Sequence, residues 1–396
     1  MTGNLKHSGL ILISGVDSPG ITAKLFDRLS PFQIQIIDFE QVVIRDRLLL
    51  TVLINLDPAH EKAVEKDLLE EFADSNLDIA IDFSNPKPTI PSNSNLHISL
   101  LAQTISPKSI SRVAEEIGQF SGNIDRVRRT ASYPIVALEF DVTAKIDDSS
   151  IKDLQRALAN ISQETGVDIA VQQGGLTRRA KRVLLLDMDS TLIQQEVIDL
   201  LATKVGKGEE VSAITESAMR GEIDFTTSLT KRVALLNGAN ESIIKEVADE
   251  IVLTPGAKTL IHTLHKLGHK VGVVSGGFLN VVEPLLNELN IDFYKANTLE
   301  VKDGLLTGKL VGPIIDREAK ADALREFSKK EGVDLNQTIA IGDGANDLGM
   351  IEIAGLGIAF NAKPRVKAAA DASINNPYLD SVLYLMGITR EEVEGN

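Results

Sequence analysis

Alternating apolar and polar positions dominate the first half of the chain, while short, wholly apolar runs dominate the second. Before residue 173 the pattern occurs twice. An apolar run (Gly9 to Ser14; Leu96 to Leu101) leads into a helix-period stretch (Gly20 to Leu29; Lys108 to Phe120). Two long alternating segments follow (Ile34 to Arg45 and Leu48 to Leu56; Ile124 to Arg129 and Ile135 to Val142), then a second helix and a last short strand. That order predicts a βαββαβ unit of ferredoxin-like type, repeated. Two breaks rich in Pro, Ser, Gly or basic residues bound the copies: Ser84 to Ser94, with Pro86, Pro88 and Pro91, and Gln172 to Lys181, with Gly174 and Gly175. The expected domains are therefore about 1–83, 95–172 and 182–396.

Beyond the second break the runs Val183 to Leu186, Val271 to Val274 and Thr338 to Ile341 read as buried parallel strands. With helix-period stretches between them, they predict a doubly wound α/β domain whose ligands lie beyond the carboxyl ends of the strands. Residues 195–255 are helical in period, with Leu200, Leu201, Val205, Val211, Ile214, Met219, Leu229 and Val233 as packing positions. They predict a helical cap that excludes water during chemistry and reopens for release.

The strand ends carry acids. Asp187-Met188-Asp189-Ser190-Thr191 follows the first run, and Gly342-Asp343-Gly344-Ala345-Asn346-Asp347 follows the last. Ser275 follows the middle run and Lys320 lies in the helical stretch Arg317 to Lys329. Phosphoryl transfer needs a nucleophile, charge neutralisation and a proton donor for the leaving oxygen. Asp187 and Asp343 offer oxygen ligands suited to Mg²⁺, with Asp187 also the nucleophile; Asp189 can donate and recover a proton. Ser275 and Lys320 suit a phosphate. By contrast, His262, His265 and His269 at i, i+3 and i+7 read as the solvent stripe of a helix from Lys258 to His269, because no carboxylate shares their spacing.

Composition narrows the partners. A formal charge of -15, with no dense run of Lys or Arg, argues against nucleic acid or an anionic membrane surface. The absence of cysteine removes thiolate chemistry and fits a reducing cytoplasm. The first apolar stretch, Leu10 to Ile13, is too short for a signal peptide, and no run approaches the roughly 20 apolar residues of a membrane span.

The four motifs, in this order, resemble the haloacid dehalogenase superfamily of phosphohydrolases. The run Asp189 to Leu192, Glu196, the stretch Met219 to Arg232 and Val274 to Phe278 are more narrowly similar to phosphoserine phosphatases, over roughly residues 182 to 390. The resemblance implies Asp187 as the residue phosphorylated in turnover and Asp189 as acid then base, its backbone carbonyl ligating Mg²⁺ beside Asp187 and Asp343. It further implies Asp347 positioning metal-bound water and Lys320, and Asn346 supporting the site. Ser275, Gly276 and Lys320 would hold the phosphate, Glu196 the substrate ammonium and Arg232 its carboxylate, with Met219 and Phe225 lining the cap. The implied reaction converts O-phospho-L-serine to L-serine and phosphate, the last step of serine biosynthesis. A related phosphatase or phosphotransferase on another amino-alcohol phosphate, or a serine sensor with a silent hydrolase domain, are the alternatives.

The two repeated units resemble ACT domains, amino-acid-sensing modules, most closely in the turn Ser14-Gly15-Val16-Asp17-Ser18-Pro19-Gly20-Ile21. Helix-start amides suit a carboxylate, Gly15 and Gly20 admit a ligand to the backbone, and Asp17 can take an ammonium. The same turn also reads as a plain helix start, capped by Asp17 or Ser18. The second unit, Ala102 to Lys108, has neither the Asp nor the Gly. The resemblance implies serine as regulator and a homodimer or higher homo-oligomer.

Overall fold

The computed structural model describes residues 7–84, 95–175, 178 and 180–395, apart from the side chains of Ser84, Asp148 and Met219. The expected break from Ser84 to Ser94 therefore lies outside the described residues beyond Ser84 itself. The chain divides into two compact units, Met1–Ser92 and Asn93–Asn396.

In the first unit β1 (Ser8–Val16), β2 (Gln35–Ile44), β3 (Arg47–Asn55) and β4 (Leu77–Ser84) form an antiparallel sheet in the order β2-β3-β1-β4. Helices Ile21–Leu29 and Glu61–Glu71 complete the βαββαβ order. Strand alternation sends Ile11, Ile13, Leu50, Val52 and Ile54 into one core with Leu25, Val64 and Leu68 of the helices. The opposite face shows Leu10, Leu12, Val16, Val42, Ile44 and Leu49 to solvent, between 36% and 60% exposed.

The second unit opens with the same topology. Strands β5 (Leu96–Ala102), β6 (Gly122–Ala131), β7 (Val136–Ala144) and β8 (Asp168–Gln173) lie in the order β8-β5-β7-β6, with helices Pro107–Gln119 and Asp148–Thr165. Seven more strands follow: β9 (Val183–Leu186), β10 (Lys270–Phe278), β11 (Phe293–Lys302), β12 (Leu305–Val311), β13 (Thr338–Gly342), β14 (Gly357–Phe360) and β15 (Ala372–Ile374). Those from β9 to β11 and β13 to β15 pair in parallel, with β9 central between β10 and β13 and the hairpin strand β12 at the edge. At the other end β15 meets β8 antiparallel at Ala372 and Ala170, so both parts share one 11-stranded sheet.

The stretch Gln172 to Lys181 breaks the sequence pattern without separating these two parts. Gln172 Nε2 donates to the Leu385 carbonyl at 2.8 Å, and Asp168 accepts from the Asn375 backbone at 2.8 Å. Leu101, Ala137 and Ala170 belong to the same apolar cluster as Leu383 and Leu385.

Between β9 and β10, helices Val197–Lys204, Gly208–Met219, Phe225–Ala234 and Ser242–Ala248 form the inserted cap. Leu201, Val211, Leu229 and Val233 are buried in it; Leu200, Val205 and Ile214 are half-buried. Its two legs are joined at the base, where Ile193 bridges Leu253 and Gln194 N–H donates to the Val252 carbonyl at 2.9 Å. The expected histidine stripe is cut short, because the helix Ala257–Lys266 ends before His269, and His265 pairs instead with Asp292 at 2.9 Å. Among the described residues no helix is long and apolar enough to cross a membrane.

Candidate active site

The central strand β9 is buried at all four positions, and Asp187 leaves its carboxyl end with its N–H donating to the Ile341 carbonyl of β13 at 2.9 Å. The chain then turns sharply. Ser190 adopts a left-handed φ of 55°, which lets its hydroxyl donate to Glu196 Oε1 at 2.8 Å. Asp189 Oδ1 accepts from the Val197 N–H at 3.4 Å. Thr191 Oγ1 donates to Asp343 Oδ1 at 3.2 Å, tying the two acidic motifs together.

Lys320 is wholly buried beneath them. Its Nζ lies 2.7 Å from Asp187 Oδ1 and 2.6 Å from Asp347 Oδ1. Burial alone would lower its ammonium, but Asp187 and Asp347 outweigh that and hold it above the ordinary value. Burial raises the Asp187 carboxyl well above its usual range and Asp347 adds to that, with Lys320 opposing. Asp189 is likewise raised by burial and then by Glu196, and Asp343 is pushed up to about 7 by burial and Asp347. One lysine does not neutralise this many carboxylates.

The excess negative charge fits a divalent cation. Carboxylate oxygens of Asp187, Asp343 and Asp347 lie within 4.8 Å of one another. Both oxygens of Asp347 are engaged, one by Lys320 and one by the Gly344 N–H at 2.9 Å. Asp187 is held through Oδ1 by Lys320 and the Met188 N–H, and Asp343 through Oδ1 by Thr191. Each therefore keeps its second oxygen for a hard cation, with Asp347 placed to steady the surroundings.

Ser275 lies on β10, next to β9; its buried Oγ accepts from the Gly277 N–H at 2.8 Å, which leaves the hydroxyl proton to give away. Gly277 must be glycine, since a Cβ there would come within 2.7 Å of Asp189 Oδ2 and 3.0 Å of Ser275 Oγ. Gly277 and the acidic strand ends open into a cavity of about 1300 Å³ lined by Asp187, Asp189, Asp343, Asn346 and Gly276 below and by Glu196, Phe225 and Arg232 on the cap side, with Ser275 and Lys320 buried behind that lining. Phe225 sits directly over Gly276, where a Cβ would be 2.8 Å from its ring. Burial lowers the Arg232 guanidinium, against the pull of Glu196, Asp199 and Asp189. Its Nε is buried without a hydrogen-bond partner, as is Ser228 Oγ one turn earlier. Met219 ends its cap helix, and its side chain lies outside the described residues.

Sequence reasoning gave no role to Ser190, Thr191, Ser228 or Asn297. Asn297 is buried on β11, donates to the Gly276 carbonyl at 2.8 Å and accepts from the Ile315 N–H at 2.9 Å, fixing the phosphate-side loop. Its only signal was an amide inside an apolar strand. Ser228 was legible as the residue four before Arg232 on one helix face.

In the first unit the turn at Gly15 to Gly20 is organised differently from either simple cap. Gly20 is itself the N-cap of Ile21–Leu29, with φ 96° and no side-chain cap, so the first helix amides are left open. Gly15 is glycine because a Cβ would meet the Asn76 carbonyl at 2.3 Å, and Asp17 is exposed. In the second unit Ser106 caps its helix by accepting from the Ser109 N–H at 3.1 Å.

A parallel α/β core with paired acids at one strand end, a buried lysine and an inserted cap defines a haloacid dehalogenase-like hydrolase, and the model of that family matches residues 184–352. ACT domain models match residues 8–84 and 94–172. The phosphoserine phosphatase SerB2 of Mycobacterium tuberculosis is 46% identical over 391 residues, covering 98% of this chain and 95% of that protein. The phosphoserine phosphatase of Streptomyces coelicolor is 47% identical over 391 residues, covering 97% and 93%. The chain belongs to the phosphoserine phosphatase family. A substrate-bound phosphoserine phosphatase complex superimposes with a TM-score of 0.50 at 42% identity, covering 52% of this chain and 97% of that one. A phospho-aspartyl intermediate analogue of phosphoserine phosphatase gives a TM-score of 0.50 at 43% identity, covering 52% and 98%.

Proposed function

We propose that the chain hydrolyses O-phospho-L-serine to L-serine and phosphate, with Asp187 as nucleophile and Mg²⁺ held by Asp187, Asp343 and the Asp189 backbone carbonyl. A bound Mg²⁺ would neutralise charge on the phosphoryl oxygens and keep its two carboxylate ligands, Asp187 and Asp343, ionised. An Asp187 oxygen attacks phosphorus while the serine oxygen departs and takes a proton from Asp189, whose raised pKa keeps that proton available. Asp189 then removes a proton from the water that attacks the aspartyl phosphate; the phosphorus–oxygen bond to Asp187 breaks and phosphate leaves. Ser275, the Gly276 loop and Lys320 hold the phosphoryl group, Asn346 supports it, and Asp347 keeps Lys320 in place.

The substrate assignment is carried by the orphaned Arg232 Nε, a buried donor in the cavity that also presents Glu196. A carboxylate satisfies the first and an ammonium the second, with Phe225 packing on the short stem between. Arg232→Ala should lower kcat/KM for phosphoserine by roughly 10- to 100-fold, the worth of a charge-assisted contact. Phosphoethanolamine, which lacks the carboxylate, should lose no more than about threefold, within the scatter of indirect effects. Equal losses would remove Arg232 from substrate recognition, and phosphate release unaffected by stripping divalent cations would remove the metal.

The first ACT domain binds serine at its open helix start, with Asp17 on the ammonium, and modulates turnover. Its exposed apolar sheet face packs against a second copy of the chain to give a homodimer.

A further inference from the structure

Carboxylates outnumber cations in the lining of the active-site cavity, and the chain carries a formal charge of -15, yet the proposed substrate is itself an anion. Two of the lining cations are already engaged: Arg317 holds Glu352 through two contacts at 2.9 Å and Arg325 holds Asp322 at 2.6 Å. Arg232 lies on the cap side, half-buried, where the proposed function assigns it to the substrate carboxylate. Two lining cations differ. Lys363 and Arg365 are exposed and form no ion pair with any described residue.

Their placement is built into the fold. They follow β14 at the start of the short helix Pro364–Lys367, where Ala362 and Val366 are buried at 6% and 1% while Lys363 and Arg365 are exposed. Asn361, with a left-handed φ of 46°, starts the segment; its N–H donates to the Ile374 carbonyl at 2.8 Å and its Nδ2 to the Asn376 carbonyl at 3.3 Å. Asn376 and Asn375 are themselves held by Asp168 of β8. An anchored pair of free cations at the mouth of an acid-rich cavity sets the local sign of the field, which low-dielectric walls focus.

We propose that Lys363 and Arg365 form an entry subsite for the phosphate dianion, drawing the substrate past the surrounding carboxylates before Ser275 and Lys320 receive it. The proposal rests on the phosphatase reading and adds a residue pair that acts on capture and not on the chemical step.

The test compares steady-state kinetics on phosphoserine for wild type, Lys363→Glu/Arg365→Glu and Lys329→Glu/Lys330→Glu, across ionic strength at fixed Mg²⁺. The last variant makes the same change in net charge away from the cavity. The mouth variant should lose about tenfold in kcat/KM at low salt, the lower end of steering effects, with kcat at saturation within about twofold. Near 1 M salt, where the Debye length is about 3 Å, its gap from wild type should close to about twofold. A mouth variant equal to wild type at low salt overturns the subsite, as do a gap that salt does not narrow and an equal loss in the control. Wild-type turnover of phosphoserine reports separately on the phosphatase reading.

Discussion

The two ferredoxin-like units share a topology and differ on one sheet face. In the first, that face carries Leu10, Leu12, Val42, Ile44 and Leu49, which are exposed among the described residues. In the second, the corresponding face carries His97, Ser99, Glu139, Asp168 and Gln172, and it is covered by the Ser381–Leu385 segment of the hydrolase part. Glu139, 1% exposed, sits between Arg128 and the buried Arg178, which also donates to the Leu385 carbonyl at 3.2 Å. A duplicated module has thus become a structural extension of the enzyme in one copy and kept an open surface in the other.

If activity resides wholly in Asn93–Asn396, its largest loss should be the same with or without the first unit. Asp187→Asn should reduce phosphate release by more than about 10³-fold, both in the full chain and in a chain beginning at Asn93, since the substitution removes the proposed nucleophile. The shortened wild-type chain should keep its basal rate. A chain beginning at Arg178 loses β8 and Glu139, and should unfold or aggregate. Should the Asn93 chain be inactive while the Arg178 chain works, the comparison is inverted.

The next effect is on stability. Glu139→Ala leaves Arg178 buried without its partner and should cost about 3–5 kcal/mol in urea unfolding, as breaking a buried pair does. In the first unit Glu71→Ala, which removes the half-exposed Arg28 partner, should cost no more than about 1 kcal/mol. Burial works to raise the Glu139 carboxyl, but Arg178 and Arg128 outweigh it and hold it below its ordinary 4.5. A depressed folded-state pKa means the unfolded chain takes up the proton first. The stabilisation is therefore full above about 4.5, the unfolded value, and is lost as pH falls through the lower folded value. Equal losses for the two substitutions at neutral pH would erase the distinction between the units.

How far the sequence revealed this contrast follows from what each pattern encodes. Period-two alternation located both βαββαβ units, and the acidic strand ends picked out Asp187, Asp189 and Asp343, which the fold brings to one cavity, because carboxylates beside apolar strands are chemically conspicuous. The fusion of β8 with β15 was not legible: it rests on a single register pair and on side chains such as Gln172 and Asp168, which read as ordinary surface polar residues. Gly15 carries a requirement its place in the turn did not reveal, since a Cβ there would meet the Asn76 carbonyl at 2.3 Å. Asn361 and Asn376 escaped notice because their role depends on partners more than ten residues away.

The exposed face offers a sharper test. Val42→Asp/Leu49→Asp places charges on neighbouring strands of that face, which pair at this register, so a dimer built on it should dissociate. Because both positions are already exposed, each substitution should change the stability of the isolated fold by no more than about 0.5 kcal/mol. Analytical ultracentrifugation showing an unchanged assembly would move the interface elsewhere.

The smallest effect concerns regulation, because it changes a response and leaves the basal rate alone. Serine binding at the open amides of Ile21–Leu29 must favour one state of the enzyme over another, and couplings of about 1–3 kcal/mol correspond to roughly 5- to 150-fold. Asp17→Ala should abolish that response while phosphate release without serine stays within about twofold, since Asp17 lies outside the catalytic cavity lining. Product competition must be separated from it. Serine competing in the cavity raises the apparent KM and persists in the chain beginning at Asn93, whereas an effect transmitted from the first unit disappears there. Titrating wild type, Asp17→Ala and the Asn93 chain with serine therefore gives three curves, of which only wild type should carry the regulatory component. Three superimposable curves would reduce the first unit to an assembly module, its exposed sheet face being then its sole contribution.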